Sequence, residues 1–123
     1  MPSKQATFNK VYRFLVAQGR PSVNKATEKC LYRHQLRNGK VLKCAMGCLI
    51  PDRLYTPRME GKTWGQINNM FPRVVAKLPL PSHFYIELQQ VHDDWAAHNS
   101  LRTFKDEMRS LALRNDLDPS IVK

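Results

Sequence analysis

Long apolar runs are missing from this chain. No stretch approaches the roughly 20 consecutive apolar residues that span a bilayer, and the opening MPSKQATFNK lacks the apolar core of a secretory signal. The expectation is a protein with no membrane segment, working in the cytoplasm. Cysteine is scarce and odd in number, three in 123 residues, which argues against a disulfide framework and for reduced thiols. The glycines at 39, 47, 61 and 65 form neither a Walker loop nor a dinucleotide fingerprint. Zinc-finger and single-strand-binding signatures, internal repeats and low-complexity tracts are absent too. Acidic residues are rare in the first two-thirds: positions 1–86 hold 15 Lys and Arg against Glu28, Asp52 and Glu60, a balance of +12. Positions 87–123 hold five against seven, a balance of −2. A field of that sign selects anionic partners or serves solubility, and by itself names neither.

What is present reads as one domain over residues 1–123, 42% hydrophobic and 24% charged, long enough to bury a modest core. Phe8, Val11, Tyr12, Leu15 and Val16 recur at helical spacing, with Thr7 placed to cap and Gly19 to terminate. Residues 23–29 read as a polar connector. Residues 30–36 and 40–44 flank Asn38-Gly39 and predict a hairpin with a two-residue type I′ turn. In that register Leu36 faces Val41, His34 faces Lys43, and Cys30 and Cys44 fall on opposite faces. Cys44 to Ile50 predicts a short buried helical turn that Pro51 stops, with Gly47 admitting a close backbone approach. Thr63 opens a short helix carrying Trp64, Ile67 and Phe71. Residues 72–81 read as a linker with one apolar turn. Ser82 caps a long helix bearing Phe84, Leu88, Val91 and Trp95, and Asn99 or Ser100 caps a last one. The class is α+β, a mostly helical single domain with one β-hairpin packed against four or five helices.

Two constellations carry candidate chemistry. Cys30, His34, Cys44 and Cys48 offer four ligand types at a spacing zinc tolerates; the opposing faces of Cys30 and Cys44 and the usual burial of unpaired cysteine weigh against it. Cys44, where strand becomes helix, is a candidate nucleophile with its thiol lowered by the helix N-terminus. Cys48 is the alternative, and His92 the candidate base. His92 and Asp93 are adjacent and point about 100° apart on a helix, so the simpler role for His92 is to tie its helix to the Met59-Glu60-Gly61 loop. With zinc set aside, no cofactor is expected. For binding, Arg37 and Lys40 at the hairpin tip, and Arg53, Tyr55 and Arg58 in the loop beyond, join Arg33 in combining cations with an aromatic ring suited to phosphates and a base. A pocket for a nucleotide messenger lined by Arg33, Tyr55 and Trp64 is a third possibility.

Residues 30–61, with Cys30-x-Tyr32-Arg33, Gly39, Lys43-Cys44-Ala45-x-Gly47-Cys48-Leu49-Ile50-Pro51-Asp52 and Met59-Glu60-Gly61, resemble small proteins of tailed phages and prophages. LQQVHDDWA and the closing helix are similar as well. His34 lies outside the shared pattern, and Arg53 and Arg58 stand where it has acidic residues. The resemblance implies an accessory protein for host takeover or against host defences, acting by binding rather than by catalysis. Its expected partner is a host protein or a nucleic acid taken on a basic surface.

Overall fold

Ser3, not Thr7, opens the first helix. The computed structural model describes residues 3–123; in it α1 spans Lys4–Gln18, with Ser3 Oγ accepting from Ala6 N and Gly19 closing the helix at φ 81°. Thr7 is buried one turn further in. The stronger signal was Ser3 itself, a hydroxyl one position before the helix that satisfies an orphan N–H of its first turn.

Four short strands follow: β1 Val23–Asn24, β2 Lys29–Cys30, β3 Arg33–Gln35 and β4 Val41–Lys43. The polar connector is therefore itself a hairpin, pairing Val23 with Cys30 and Asn24 with Lys29. Residues 29–35 pair first with this upstream strand, then change partner at Leu31-Tyr32 and pair with β4. The β3–β4 register differs by one from the sequence expectation: His34 faces Leu42 and Gln35 faces Val41. The loop holds three residues, Arg37-Asn38-Gly39, with Leu36 N donating to Lys40 O at 2.7 Å, Gly39 N to Leu36 O at 3.0 Å, and Gly39 at φ 88°. A type I turn ending in a left-handed glycine fits Asn-Gly as well as a two-residue turn does. The slip reassigns faces. Cys44 N donates to Tyr32 O, so Cys44 lies opposite Tyr32 and shares its side, not that of Arg33.

The remaining elements are α2 (Ala45–Leu49), two 3-10 turns (Asp52–Leu54 and Pro57–Met59), α3 (Trp64–Met70), α4 (Pro72–Lys77), α5 (Ser82–His98) and α6 (Leu101–Arg114). Thr63 and Gln66 form a reciprocal capping box at α3. Residues 72–77 are a helix rather than linker, because Pro72 occupies a first-turn position where its missing N–H is harmless. Pro81, not Ser82, is the N-cap residue of α5 and gives no side-chain cap; Ser100 caps α6 through Thr103 N.

Helix α5 is the hub, packing against α1, α2, α3 and α6. Its inward stripe is Phe84, Tyr85, Leu88, Val91, His92 and Trp95, and one continuous apolar cluster runs from Phe8 to Val122. Among the described residues, six α-helices and two two-stranded antiparallel ladders make an α+β fold. Among the described residues no helix is long and apolar enough to cross a membrane.

Candidate functional site

Where the chain changes strand partner, the N–H groups of Tyr32 and Arg33 go to neither ladder. Both donate to the Glu60 carboxylate, Tyr32 to Oε1 at 2.8 Å and Arg33 to Oε2 at 3.0 Å, and Tyr55 Oη adds a third bond to Oε2 at 2.6 Å. Tyr32 Oη donates to Lys62 O at 2.6 Å. The Arg33 guanidinium lies 4.6 Å from the centre of the Tyr55 ring, donates to Ile50 O at 2.8 Å and pairs with Asp52 at 2.7 Å. Gly47 passes directly under the Tyr32 carbonyl. The segment from Tyr32 to Glu60 is thus a structural knot: Tyr32, Arg33, Gly47, Ile50, Asp52 and Glu60 bind one another. Arg33, with 13% of its side chain exposed, and Tyr55 are occupied inside it. Trp64 is buried edge-on to Tyr85, so it shares no surface with them. Lys43 first, then Arg33, hold the Asp52 carboxyl below its usual range.

The cysteines do not gather. Cys44 is the N-cap of α2 and its Sγ accepts from Gly47 N at 3.2 Å, while Cys48 Sγ donates to Ala45 O at 3.1 Å. Helix α2 has only five residues, and burial outweighs its N-terminus: the Cys44 thiol is pushed up, not lowered. Burial pushes Cys48 up to about 12 as well.

Cys30 instead joins His92 and Asp93; among the described residues these form the single trio of potential ligands whose donor atoms lie within 4.8 Å of one another. The burial of Cys30 and the neighbouring Asp93 carboxylate push its thiol to about 12. Adjacent though they are, His92 and Asp93 do meet, with Nδ1 and Oδ1 3.0 Å apart. His92 Nε2 accepts the backbone N–H of Ser22 at 2.9 Å, tying α5 to the segment before β1 and not to the loop at Glu60. An N–H can only donate, so Nε2 carries the lone pair and Nδ1 carries the proton that Asp93 receives. Both ring nitrogens are spent. His92 therefore has no free lone pair for a metal ion or for the proton of a thiol. Asp93 also receives Gln89 Nε2 at 2.8 Å, and Gln89 Oε1 accepts from Met46 N at 3.0 Å. The trio is a brace between α5, α2 and the β1–β2 hairpin.

Above this brace opens a cleft of about 920 Å³ between that hairpin and the C-terminal half of α5. Cys30, His34, Leu42 and Asp93 border it, with Arg20 and Lys25. Asn24 and Lys25 carry no signal for binding in the sequence because residues 23–29 read as a connector, and Arg20 merely follows the end of the first helix. The recess itself had a signal: Asp93, Ala96 and Ala97 lie at i, i+3 and i+4 on one helix face and present little bulk. Of the other predicted contact residues, Arg37 and Lys40 are exposed at the hairpin tip, and Arg53 and Arg58 are exposed on the two 3-10 turns. The Arg58 guanidinium lies 5.9 Å from the Phe71 ring centre.

No family model, curated protein or solved structure matches the chain.

Proposed function

We propose that this protein is a non-enzymatic binder that takes an anionic macromolecule on the basic surface of residues 3–86. One observation carries the reading. Of the 15 Lys and Arg residues in that part of the chain, only Arg33 and Lys43 form an ion pair, and both use Asp52. The other 13 have no acidic partner among the described residues. Glu60, one of the three acids there, is satisfied by backbone N–H groups and a tyrosine rather than by a cation. Uncompensated like charge repels itself in the free protein and is relieved when a polyanion binds and releases its condensed counterions to solvent. Three thiols held in the protonated form and a histidine with both nitrogens engaged support binding over thiolate chemistry. With the resemblance of residues 30–61 to small phage proteins, the reading becomes an accessory protein acting in the host cytoplasm.

The contact residues are Arg37, Lys40, Arg53 and Arg58, all exposed; Arg33 and Tyr55 hold the loops that present them. A labelled single-stranded oligonucleotide and a polyglutamate peptide, titrated over a salt series, test this. At least one should bind with an affinity that falls linearly on logarithmic axes as salt rises. Binding of neither, or binding that salt leaves unchanged, removes the reading.

A further inference from the structure

We infer that the cleft between the β1–β2 hairpin and α5 takes an unpaired nucleotide, with the base inside and its phosphate on Arg20 and Lys25. The inference rests on the polyanion reading above and narrows the partner to nucleic acid or a free nucleotide. The size fits: about 920 Å³ falls within the roughly 300–1,000 Å³ typical of small-molecule sites. Two other cavities, of about 500 and 560 Å³, run along the outer face of α6 and between α1 and the C-terminal residues. Neither combines an apolar floor with unpartnered cations in this way.

The lining has the chemistry a flat heterocycle needs. Val23 is half-buried, and with Ala96 and Ala97 on the facing helix it offers aliphatic surface to a ring, over a floor formed by the buried Pro21 and Leu42. Polar groups lie between them. The His34 ring has no hydrogen-bond partner among the described residues, although it borders the cleft. Asn24 uses its Oδ1 to accept from Ala26 N at 3.0 Å, which leaves its amide NH₂ free to donate. Asp93 holds two donors, His92 and Gln89, both on Oδ1, of about four that a carboxylate accepts. It and Glu28, which stands at φ 58° in the hairpin loop, offer acceptors only. A base edge rich in N–H donors, such as that of guanine, matches them. At the mouth, Arg20 and Lys25 are exposed and unpaired, placed for a phosphate.

Backbone-amide NMR with 5′-GMP, inorganic phosphate and a single-stranded guanine-containing decanucleotide tests the inference. GMP should move the amides of Asn24, Cys30, His34, Asp93 and Ala96, and phosphate alone should move only those near Arg20 and Lys25. Ala96→Trp should fill the recess and weaken GMP by about tenfold or more. Should that variant fail to fold, Ala97→Trp, exposed on the same wall, fills it from the rim. A decanucleotide bound about tenfold tighter than GMP assigns the site to a strand, and equal affinity assigns it to the free nucleotide. Unmoved cleft amides, or a Trp variant that binds GMP as the parent does, overturn the inference. In that event a decanucleotide that still binds with salt dependence leaves the polyanion reading standing, and loss of both removes both.

Discussion

Gly47 lies against the carbonyl of Tyr32 so closely that a β-carbon on it would come within 2.8 Å of the Tyr32 carbonyl carbon. The neighbour is backbone, held on both sides by the Glu60 carboxylate and by Cys44 N, and cannot step aside like a side chain. Gly47→Ala should therefore destabilise by about 3 kcal/mol, the upper end for overpacking a rigid site, read as a lower urea midpoint. Gly65 supplies the contrast. It lies in α3, where a β-carbon meets nothing nearer than Thr63 Oγ1 at 3.8 Å. Gly65→Ala should stabilise by about 0.5–1 kcal/mol through helix propensity. Equal effects at both sites would show that the contact under Tyr32 relaxes.

Glu60 satisfies two backbone donors and a phenol with one carboxylate, and charge-assisted bonds of that kind are the strong ones. Glu60→Gln keeps a single acceptor oxygen and turns the other position into a donor facing donors. The expected loss is about 2–3 kcal/mol, with polyanion binding unchanged once the variant is folded. A neutral Glu60→Gln in a denaturation series would mean that water replaces the lost acceptor.

How far the sequence discloses this molecule follows from which of its signals are local. The helices of periodic stretches such as Phe84 to Trp95, the Thr63 box and the Gly39 turn depend on neighbours in the chain, and all are legible there. So is Gly47, whose lack of a side chain announces a close approach without saying to what. The register of β3 on β4 is not legible, because Arg37-Asn38-Gly39-Lys40 suits a two-residue or a three-residue loop. The choice falls to Tyr32 and Cys44 packing on a common side. The strand swap at Leu31-Tyr32 is hidden for a similar reason: it needs Glu60, 28 residues away, to accept what neither ladder takes. Arg33 reads as a surface cation until Tyr55 and Asp52 are seen around it. Arg37, Lys40, Arg53 and Arg58, which nothing covers, are where charge alone puts them.

Helices α5 and α6 carry a pH dependence of their own. Burial first, and then the Asp94 carboxylate, raise the Glu107 carboxyl above its usual value. A group raised on folding stabilises below its unfolded value, about 4.3 for glutamate, and that contribution is lost as pH rises through the folded value. Burial and the neighbouring Asp94 carboxylate both work against the charged form of Glu107. Glu107→Gln should therefore raise the melting temperature at pH 7, with the gain shrinking toward pH 4. Asp52 has the opposite sign. Lowered by Lys43 and Arg33, it stabilises above about 3.9 and loses that below, so Asp52→Asn should flatten the acid limb of the stability curve. Added salt should erase most of the Asp52 effect, since its side chain is 81% exposed.

The thiols give the test that best separates binding from nucleophilic chemistry. Cys30 and Cys48 are pushed up to about 12, and Cys44 is raised with a fully buried side chain. Only the thiolate attacks a disulfide reagent. At pH 7 the folded protein should react with an aromatic disulfide far more slowly than its denatured form, which should release three thiol equivalents at once. The sign of the linkage adds a second readout. Groups raised on folding stabilise below the unfolded thiol value of about 8.5 and lose that as pH rises toward the folded values, so stability should fall between about pH 8.5 and 12. Cys30→Ser should soften that alkaline decline and leave the salt-dependent binding of a polyanion intact, because it removes no cation. One cysteine reacting rapidly in the folded state at pH 7, together with loss of function in the serine variant of that same residue, would instead make the protein a thiol enzyme whose base is not His92.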